Sequence, residues 1–268
     1  MTARTKANLV PVALTIAGSD SGGGAGMQAD LKTFMALGIF GTSAITCITA
    51  QNPGAVTGIE AVSTKLISRQ IKSVTAGFPV AAAKTGMLFS AEIIKTVTKV
   101  LKQGPRFPLV VDPVMIATSG ARLLRDDAMA ALVRDLLPLA TVITPNLHEA
   151  EVLVGGRIRK LDDLKKAALL ISKRFGVACV AKGGHLEGRE VVDVLCVDGE
   201  LTLYTSPRIR VRETHGTGCT FSAALTAALA HGTDLQESVS VAKCFVSGAL
   251  RGAVVTGSHA PLNFAWQT

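Results

Sequence analysis

Apolar residues along this chain fall into two alternating patterns. Short runs rich in Val, Ile, Leu and Ala, with little polar alternation, occur at Val12 to Ala17, Ala82 to Lys84, Leu109 to Val111, Thr141 to Ile143 and Ala178 to Ala181, and an Ile/Thr-rich run spans Ser43 to Thr49. Between them, helical spacing of apolar positions predicts helices over Ala25 to Leu37, Thr64 to Ser73, Ala91 to Leu101, Asp126 to Leu137, Asn146 to Val154, Leu161 to Phe175, Thr217 to His231 and Leu235 to Val254. Strands that lack alternation are buried on both faces, and strands separated by helices pair in parallel. The pattern therefore predicts an α/β fold, a mostly parallel sheet with helices on both sides. Val191 to Val197 and Leu201 to Thr205 flank Asp198-Gly199 and predict a hairpin that adds an antiparallel edge.

No composition shift or linker divides the 268 residues, so one domain over 1–268 is expected. Charged residues at 18% and aromatics at 4% fit neither a disordered tail protein nor an aromatic platform for single-stranded nucleic acid. The net charge of +8 comes from dispersed residues such as Lys65, Arg69, Lys95 and Lys165. That dispersion reads as a solvated cationic surface, with no nucleic acid and no membrane as partner. The five cysteines show no Cys-x-x-Cys pair, which excludes a disulfide framework or a structural zinc. Arg4 and Lys6 precede the apolar run Leu9 to Ala17 in the manner of a secretory leader, but Pro11 interrupts the run and a polar glycine loop follows it. A first buried strand is the expectation. With no apolar run of about 18 residues, so is a cytoplasmic location.

Candidate chemistry sits where the predicted strands end. Gly18-Ser19-Asp20-Ser21-Gly22-Gly23-Gly24-Ala25-Gly26 lies between a strand and a helix start, which suggests an anion or polar-ligand site built from free amides. Gly24-x-Gly26-x-x-Ala29 matches a dinucleotide fingerprint, but no Asp or Glu lies between Asp30 and Glu60 to hold a ribose. No Gly-Lys-Ser/Thr ending marks it as a P-loop either. A second cluster, Thr214-His215-Gly216-Thr217-Gly218-Cys219-Thr220, precedes a helix of small residues. Its amides suit an anion, and Cys219, at a helix N-terminus that lowers a thiol pKa, is either a general base or a small packed hydrophobe. Asn146 and Glu149, three apart at a helix start, read either as holders of hydrated Mg²⁺ and phosphate or as a capping box.

These loops, in this order, resemble the ribokinase-like superfamily and most closely its hydroxymethylpyrimidine/phosphomethylpyrimidine kinases. The likeness runs through Ala17-Gly18-Ser19-Asp20, Gln28 to Phe34, Ala50-Gln51-Asn52, Lys84-Thr85-Gly86-Met87-Leu88, Asp112-Pro113-Val114-Met115, Thr144-Pro145-Asn146, Lys182-Gly183-Gly184-His185 and His215 to Thr220. The resemblance implies a three-layer α/β/α sandwich, ATP and Mg²⁺ as cosubstrates, and two successive phosphorylations of 4-amino-5-hydroxymethyl-2-methylpyrimidine. It implies that Gln51 reads the pyrimidine, with Asp30, Gly18, Met87 and Val114 lining that pocket. Gly216, Thr217 and Gly218 match the anion hole, with Cys219 as the base. Lys182, Asn146, Glu149 and Thr214 match the triphosphate side, and Glu149 and Asp112 are the expected metal contacts. A homodimer is expected. The alternatives are a pyridoxine or pyridoxal kinase, whose ring has nearly the same shape, and a non-catalytic pyrimidine sensor.

Overall fold

A computed structural model describes residues 9–115, 123–125, 127–211 and 215–267. The central sheet contains β1 (Val12–Ala17), β2 (Phe40–Ile45), β5 (Val80–Thr85), β6 (Leu109–Val111), β7 (Val142–Ile143), β8 (Ala178–Ala181), β9 (Glu190–Val197) and β10 (Glu200–Pro207), in the order β10-β9-β8-β7-β6-β5-β1-β2. The pairs from β2 through β8 are parallel, whereas β8–β9 and β9–β10 are antiparallel. The expected parallel sheet with an antiparallel edge hairpin is thus present.

Adjacent residues on the same strand feed different cores, as the two-residue period requires. Val111 and Ile143 pack with Ile67 and Ile71 of α2 (Thr64–Gly77), Ile94 of α3 (Ala91–Gln103) and Ile171 of α6 (Leu161–Phe175). Val110, Val142 and Val180 face the other way, onto Phe221 and Leu225 of α7 (Thr217–Ala230) and Val239 and Phe245 of α8 (Leu235–Arg251). On that second face, α1 (Gly26–Ala36) packs Phe34 beside Ala223 and Ala227 of α7. The three layers follow from this division.

Two expectations needed correction. The run Ser43 to Thr49 is not one strand: β2 ends at Ile45, and β3 (Cys47–Asn52) pairs antiparallel with β4 (Ala55–Ala61) in a separate two-stranded sheet. Thr46 forms the break, because its N–H donates to Ala17 O and its hydroxyl to Met87 O, pinning it between β1 and the loop after β5. The helix expected over Asp126 to Leu137 is a short α4 (Ala128–Ala131), a π-helical turn (Leu132–Leu136) and a 3₁₀ turn (Leu137–Leu139). Pro138, which lacks an N–H, falls in that last turn. Asp126 itself lies outside the described residues.

β1 pairs with β2 on one side and β5 on the other. The chain therefore leaves β1 in one direction and later returns on its opposite side. That switch point, at the carboxyl end of β1, is where an open α/β sheet leaves a crevice for ligands.

Candidate active site

The first glycine loop leaves β1 and closes on itself. Asp20 supplies the acceptors: Gly22 N–H donates to Oδ1 at 2.9 Å and Ala25 N–H to Oδ2 at 2.8 Å. Gln28 Oε1 accepts from the Asp20 N–H at 2.8 Å, and Met27 N–H donates to Gly18 O at 3.0 Å. The sequence suggested an anion or polar-ligand site here; the loop does border the cavity, but its Gly22 and Ala25 amides are taken by the chain's own Asp20 carboxylate. Burial by itself would raise the Asp20 carboxyl. The hydrogen bond from His215 and the N–H donors of Ala25 and Gly22 outweigh it and hold the group below the ordinary carboxylate value.

His215 Nε2 lies 2.9 Å from Asp20 Oδ2 and so ties the first loop to the second. Their backbones touch. Gly216, the N-cap of α7, has φ +84°, and a Cβ there would lie 1.8 Å from Gly24 O. Only glycine fits. Hydrogen bonding within α7 starts at Thr220, whose N–H donates to Gly216 O at 2.9 Å, so the Gly218 and Cys219 amides belong to the outward-pointing first turn.

The Cys219 sulfur accepts from Gly26 N–H, the first residue of α1. Two helix N-termini therefore converge on it. The lowered thiol pKa expected from the sequence is nevertheless corrected, because burial pushes the thiol up to about 12. Lys84 pulls it down, while Asp30 and Asp112 push it further up. At rest Cys219 is a neutral thiol.

Across the sheet edge, Asp112 follows β6 and Lys182 follows β8. Lys182 Nζ donates to Asp112 Oδ1 at 3.1 Å, and Ser222 of α7 donates to Oδ2 at 3.2 Å. Asn146 and Glu149, at the start of α5 (Leu147–Val154), form the capping box: Asn146 Oδ1 accepts Glu149 N–H at 3.0 Å, and Glu149 Oε2 accepts Asn146 N–H at 2.8 Å. The second Glu149 oxygen takes only a long contact, 3.4 Å, from Met115 N–H. Burial raises Glu149 to about 7; Lys182 opposes that shift and Asp112 adds to it. Two carboxylates that repel each other beside a lysine, one with an underused oxygen, suit a hydrated divalent cation. Among the described residues no group of three or more His, Cys, Asp or Glu side chains forms an all-protein metal cage.

The end of the cavity near Gly18 and Met87 is apolar with polar inserts. Met87, Val114, Cys47 and Leu123 pack together, and a Cβ on Gly18 would come within 2.6 Å of Cys47 Sγ. Gln51 is fixed through its backbone, since its N–H donates to Ser21 Oγ at 2.7 Å and its carbonyl accepts from the same hydroxyl at 2.6 Å. Its carboxamide has no protein partner among the described residues, and the residue borders the cavity. Asp30 is fully buried, with Oδ1 held by Lys84 at 2.7 Å and Oδ2 by Thr15 at 2.6 Å.

One cavity of about 900 Å³ joins all of these groups. Every expected site residue borders it except Thr214, which lies outside the described residues. Sequence reasoning missed Lys84 and the Asp20–His215 pair. For Lys84 the signal was present: a charged residue in the otherwise small and apolar β5, Val-Ala-Ala-Ala-Lys-Thr. It also passed over Arg208, on the same wall, whose guanidinium donates to Gly184 O, Gly188 O and Leu186 O and so holds the loop after Lys182.

The sequence pattern of the phosphomethylpyrimidine kinases matches residues 20–263. A hydroxymethylpyrimidine/phosphomethylpyrimidine kinase of Haemophilus influenzae is 49% identical over 93% of this chain and 95% of its own. One from Rhizobium meliloti is 48% identical over 91% and 92%. Among solved structures, a phosphomethylpyrimidine kinase of Clostridium difficile superposes with a TM-score of 0.80 at 43% identity, covering 90% of this chain and 99% of the other. An ADP complex of Bacillus subtilis pyridoxal kinase gives 0.88 at 39%, covering 97% and 99%. With a match that spans the glycine loops, the carboxylates and the cysteine alike, the chain belongs to the phosphomethylpyrimidine kinase family.

Proposed function

We propose that this protein transfers the γ-phosphoryl group of ATP first to the hydroxymethyl group of 4-amino-5-hydroxymethyl-2-methylpyrimidine and then to the resulting monophosphate, supplying the diphosphate for thiamine biosynthesis. One observation carries the reading: Gln51, the α7 N-terminus with Cys219, and Lys182 with Asp112 and Glu149 all border one cavity. A free carboxamide offers a donor beside an acceptor, which complements a ring nitrogen beside an exocyclic amine. Met87 and Val114 would hold the faces of the ring.

Phosphoryl transfer needs alignment and charge stabilisation more than covalent chemistry. The Gly216–Cys219 amides and the Lys182 ammonium would neutralise charge on the moving group. Lys182 stays protonated because Asp112 and Glu149 outweigh the effect of its burial. Glu149 and Asp112 would hold Mg²⁺, which would supply charge neutralisation during transfer. Cys219 would take the hydroxymethyl proton as a thiolate, and Lys84 is the neighbouring cation that favours that form. In the second phosphorylation the acceptor is already an anion, so a base has little to do. A sensor that only binds the ring would not need an anion hole, a cysteine and a cation site in one cavity, and an ATP-consumption assay separates that reading.

The likeness to pyridoxal kinase structures keeps a second substrate in view. Measuring kcat/KM for the pyrimidine alcohol and for pyridoxine decides between them: the pyrimidine should be preferred, and a preference for pyridoxine would overturn the assignment. A second copy of the chain is the proposed partner. Phe40 and Phe78, substantially exposed and stacked at 5.6 Å between ring centroids, offer it an apolar contact, which sedimentation would test. Among the described residues, no helix is long and apolar enough to cross a membrane.

A further inference from the structure

An ion pair is buried on the floor of the cavity where binding and transfer do not by themselves require one. Lys84 in β5 and Asp30 in α1 are both 0% exposed, with Nζ 2.7 Å from Oδ1. Replacing such a pair by apolar residues is often neutral or stabilising, so fold stability is a poor reason for its presence. An ammonium has three donors. Asp30 takes one, and the described residues offer no hydrogen-bond acceptor for the other two. Lys84 borders the same cavity as Cys219.

Four charged groups act on Cys219 from the elements packed around it: Lys84 from β5, Asp30 from α1, Asp112 from the loop after β6 and Lys182 from the loop after β8. Gly26 adds its N–H from the start of α1. The two acids oppose negative charge on the sulfur. Lys182 is already engaged by Asp112 at 3.1 Å and also feels the charge of Glu149. Lys84 is the remaining cation. Burial works against its charge, but Asp30, Cys219 and Asp112 outweigh that and keep it protonated.

We propose that Lys84 is a positioning residue that acts through Cys219: anchored by Asp30, its ammonium supplies the positive charge against which the Cys219 sulfur takes up negative charge. The inference rests on the reading of Cys219 as proton acceptor. In the first phosphorylation the resting thiol first gives its proton to solvent; the substrate O–H bond then breaks and the S–H bond re-forms on the thiolate, while the new O–P bond replaces the bond from γ-phosphorus to the ADP oxygen. Lys84 keeps its own proton throughout.

The test is the rate at which iodoacetamide alkylates Cys219 in the ligand-free full chain at pH 8, followed by peptide mass spectrometry. Exposed Cys244 serves as the internal reference. A neighbouring charge moves a pKa by about one unit or more. A one-unit rise cuts the thiolate fraction tenfold, and the gain in nucleophilicity returns about a factor of three. Lys84→Met should therefore slow alkylation at Cys219 by roughly threefold or more, with Cys244 unchanged, whereas Lys84→Arg should stay near wild type. The double variant Lys84→Met/Asp30→Asn leaves no unpaired buried charge. It should recover thermal stability while Cys219 stays slower than in wild type. If Lys84→Met does not fold, the double variant carries the test. Wild-type reactivity at Cys219 in either variant would overturn the proposal, whereas the fate of Cys219 as the base is decided separately by comparing the two phosphorylation rates of its alanine variant.

Discussion

Replacing Cys219 by alanine removes one sulfur atom and leaves the backbone of the α7 N-terminus in place, because that backbone is set by Gly216 at φ +84° and by Thr220 N–H to Gly216 O. The anion hole should survive. What is lost is the proton acceptor, typically worth about 10² to 10⁴ in rate. Only the first phosphorylation has a proton to lose, so single-turnover rates should fall by that factor with the pyrimidine alcohol and by less than about tenfold with the monophosphate. The resting thiol, pushed up to about 12, gives a second signature. Far below that value the thiolate fraction rises tenfold per pH unit, so in the wild type the first step should accelerate with pH between about 6 and 9. In the alanine variant the acceleration above about pH 8, beyond the titration of Glu149 at about 7, should disappear. Rapid-quench measurements with each acceptor, over pH, provide both readouts. Equal losses in the two steps, or a slope above pH 8 as steep without the sulfur as with it, would refute the role of Cys219 as the base.

Other changes should separate the parts of the site. Gln51→Leu leaves the ring's polar edge unpaired, costing about 1 to 3 kcal/mol of binding; KM for the pyrimidine should rise with an unchanged melting temperature, since the Ser21 contacts use the backbone. Gly216→Ala places a Cβ 1.8 Å from Gly24 O, forcing the two loops apart, and a displacement of about 1 Å is worth about 10² in rate. Both phosphorylations should lose alike in single-turnover assays, in contrast to the cysteine variant. Glu149 holds its proton up to about pH 7 in the fold but only to its ordinary value near 4.5 when unfolded. The fold therefore binds the extra proton between those values, and this group's contribution to stability falls as pH rises through 7. Glu149→Gln should accordingly raise the melting temperature of the ligand-free protein at pH 8, leave it nearly unchanged at pH 4, and weaken Mg²⁺-dependent activity; an unchanged melting temperature at pH 8 would contradict the assignment.

The layers were legible because β1, β6 and β8 are buried on both faces and their sequences show no polar alternation. β4 was not: Ala-Val-Thr-Gly-Ile-Glu-Ala is largely exposed and carries a glycine, so neither period stands out. Thr46 looked like one more β-branched residue in a strand; its role as a break depends on acceptors at Ala17 and Met87, which no local pattern contains. The cavity wall could be named in advance because parallel sheets bring strand ends to one edge. Which glycine loop keeps its amides free could not, because Asp20 and His215, far apart in the chain, meet only in the fold. The same holds for the thiol: a helix start is visible in sequence, but the burial that overrides it at Cys219 is tertiary.

The central claim is that one cavity performs two successive phosphorylations on a hydroxymethylpyrimidine. Mass spectrometry of the product after incubation with ATP, Mg²⁺ and 4-amino-5-hydroxymethyl-2-methylpyrimidine tests it most directly. The account predicts a monophosphate that appears first and is then converted to the diphosphate, with two ATP consumed per ring. A ring recovered without phosphate while the protein remains folded, or one that stops at the monophosphate when ATP is in excess, would contradict it.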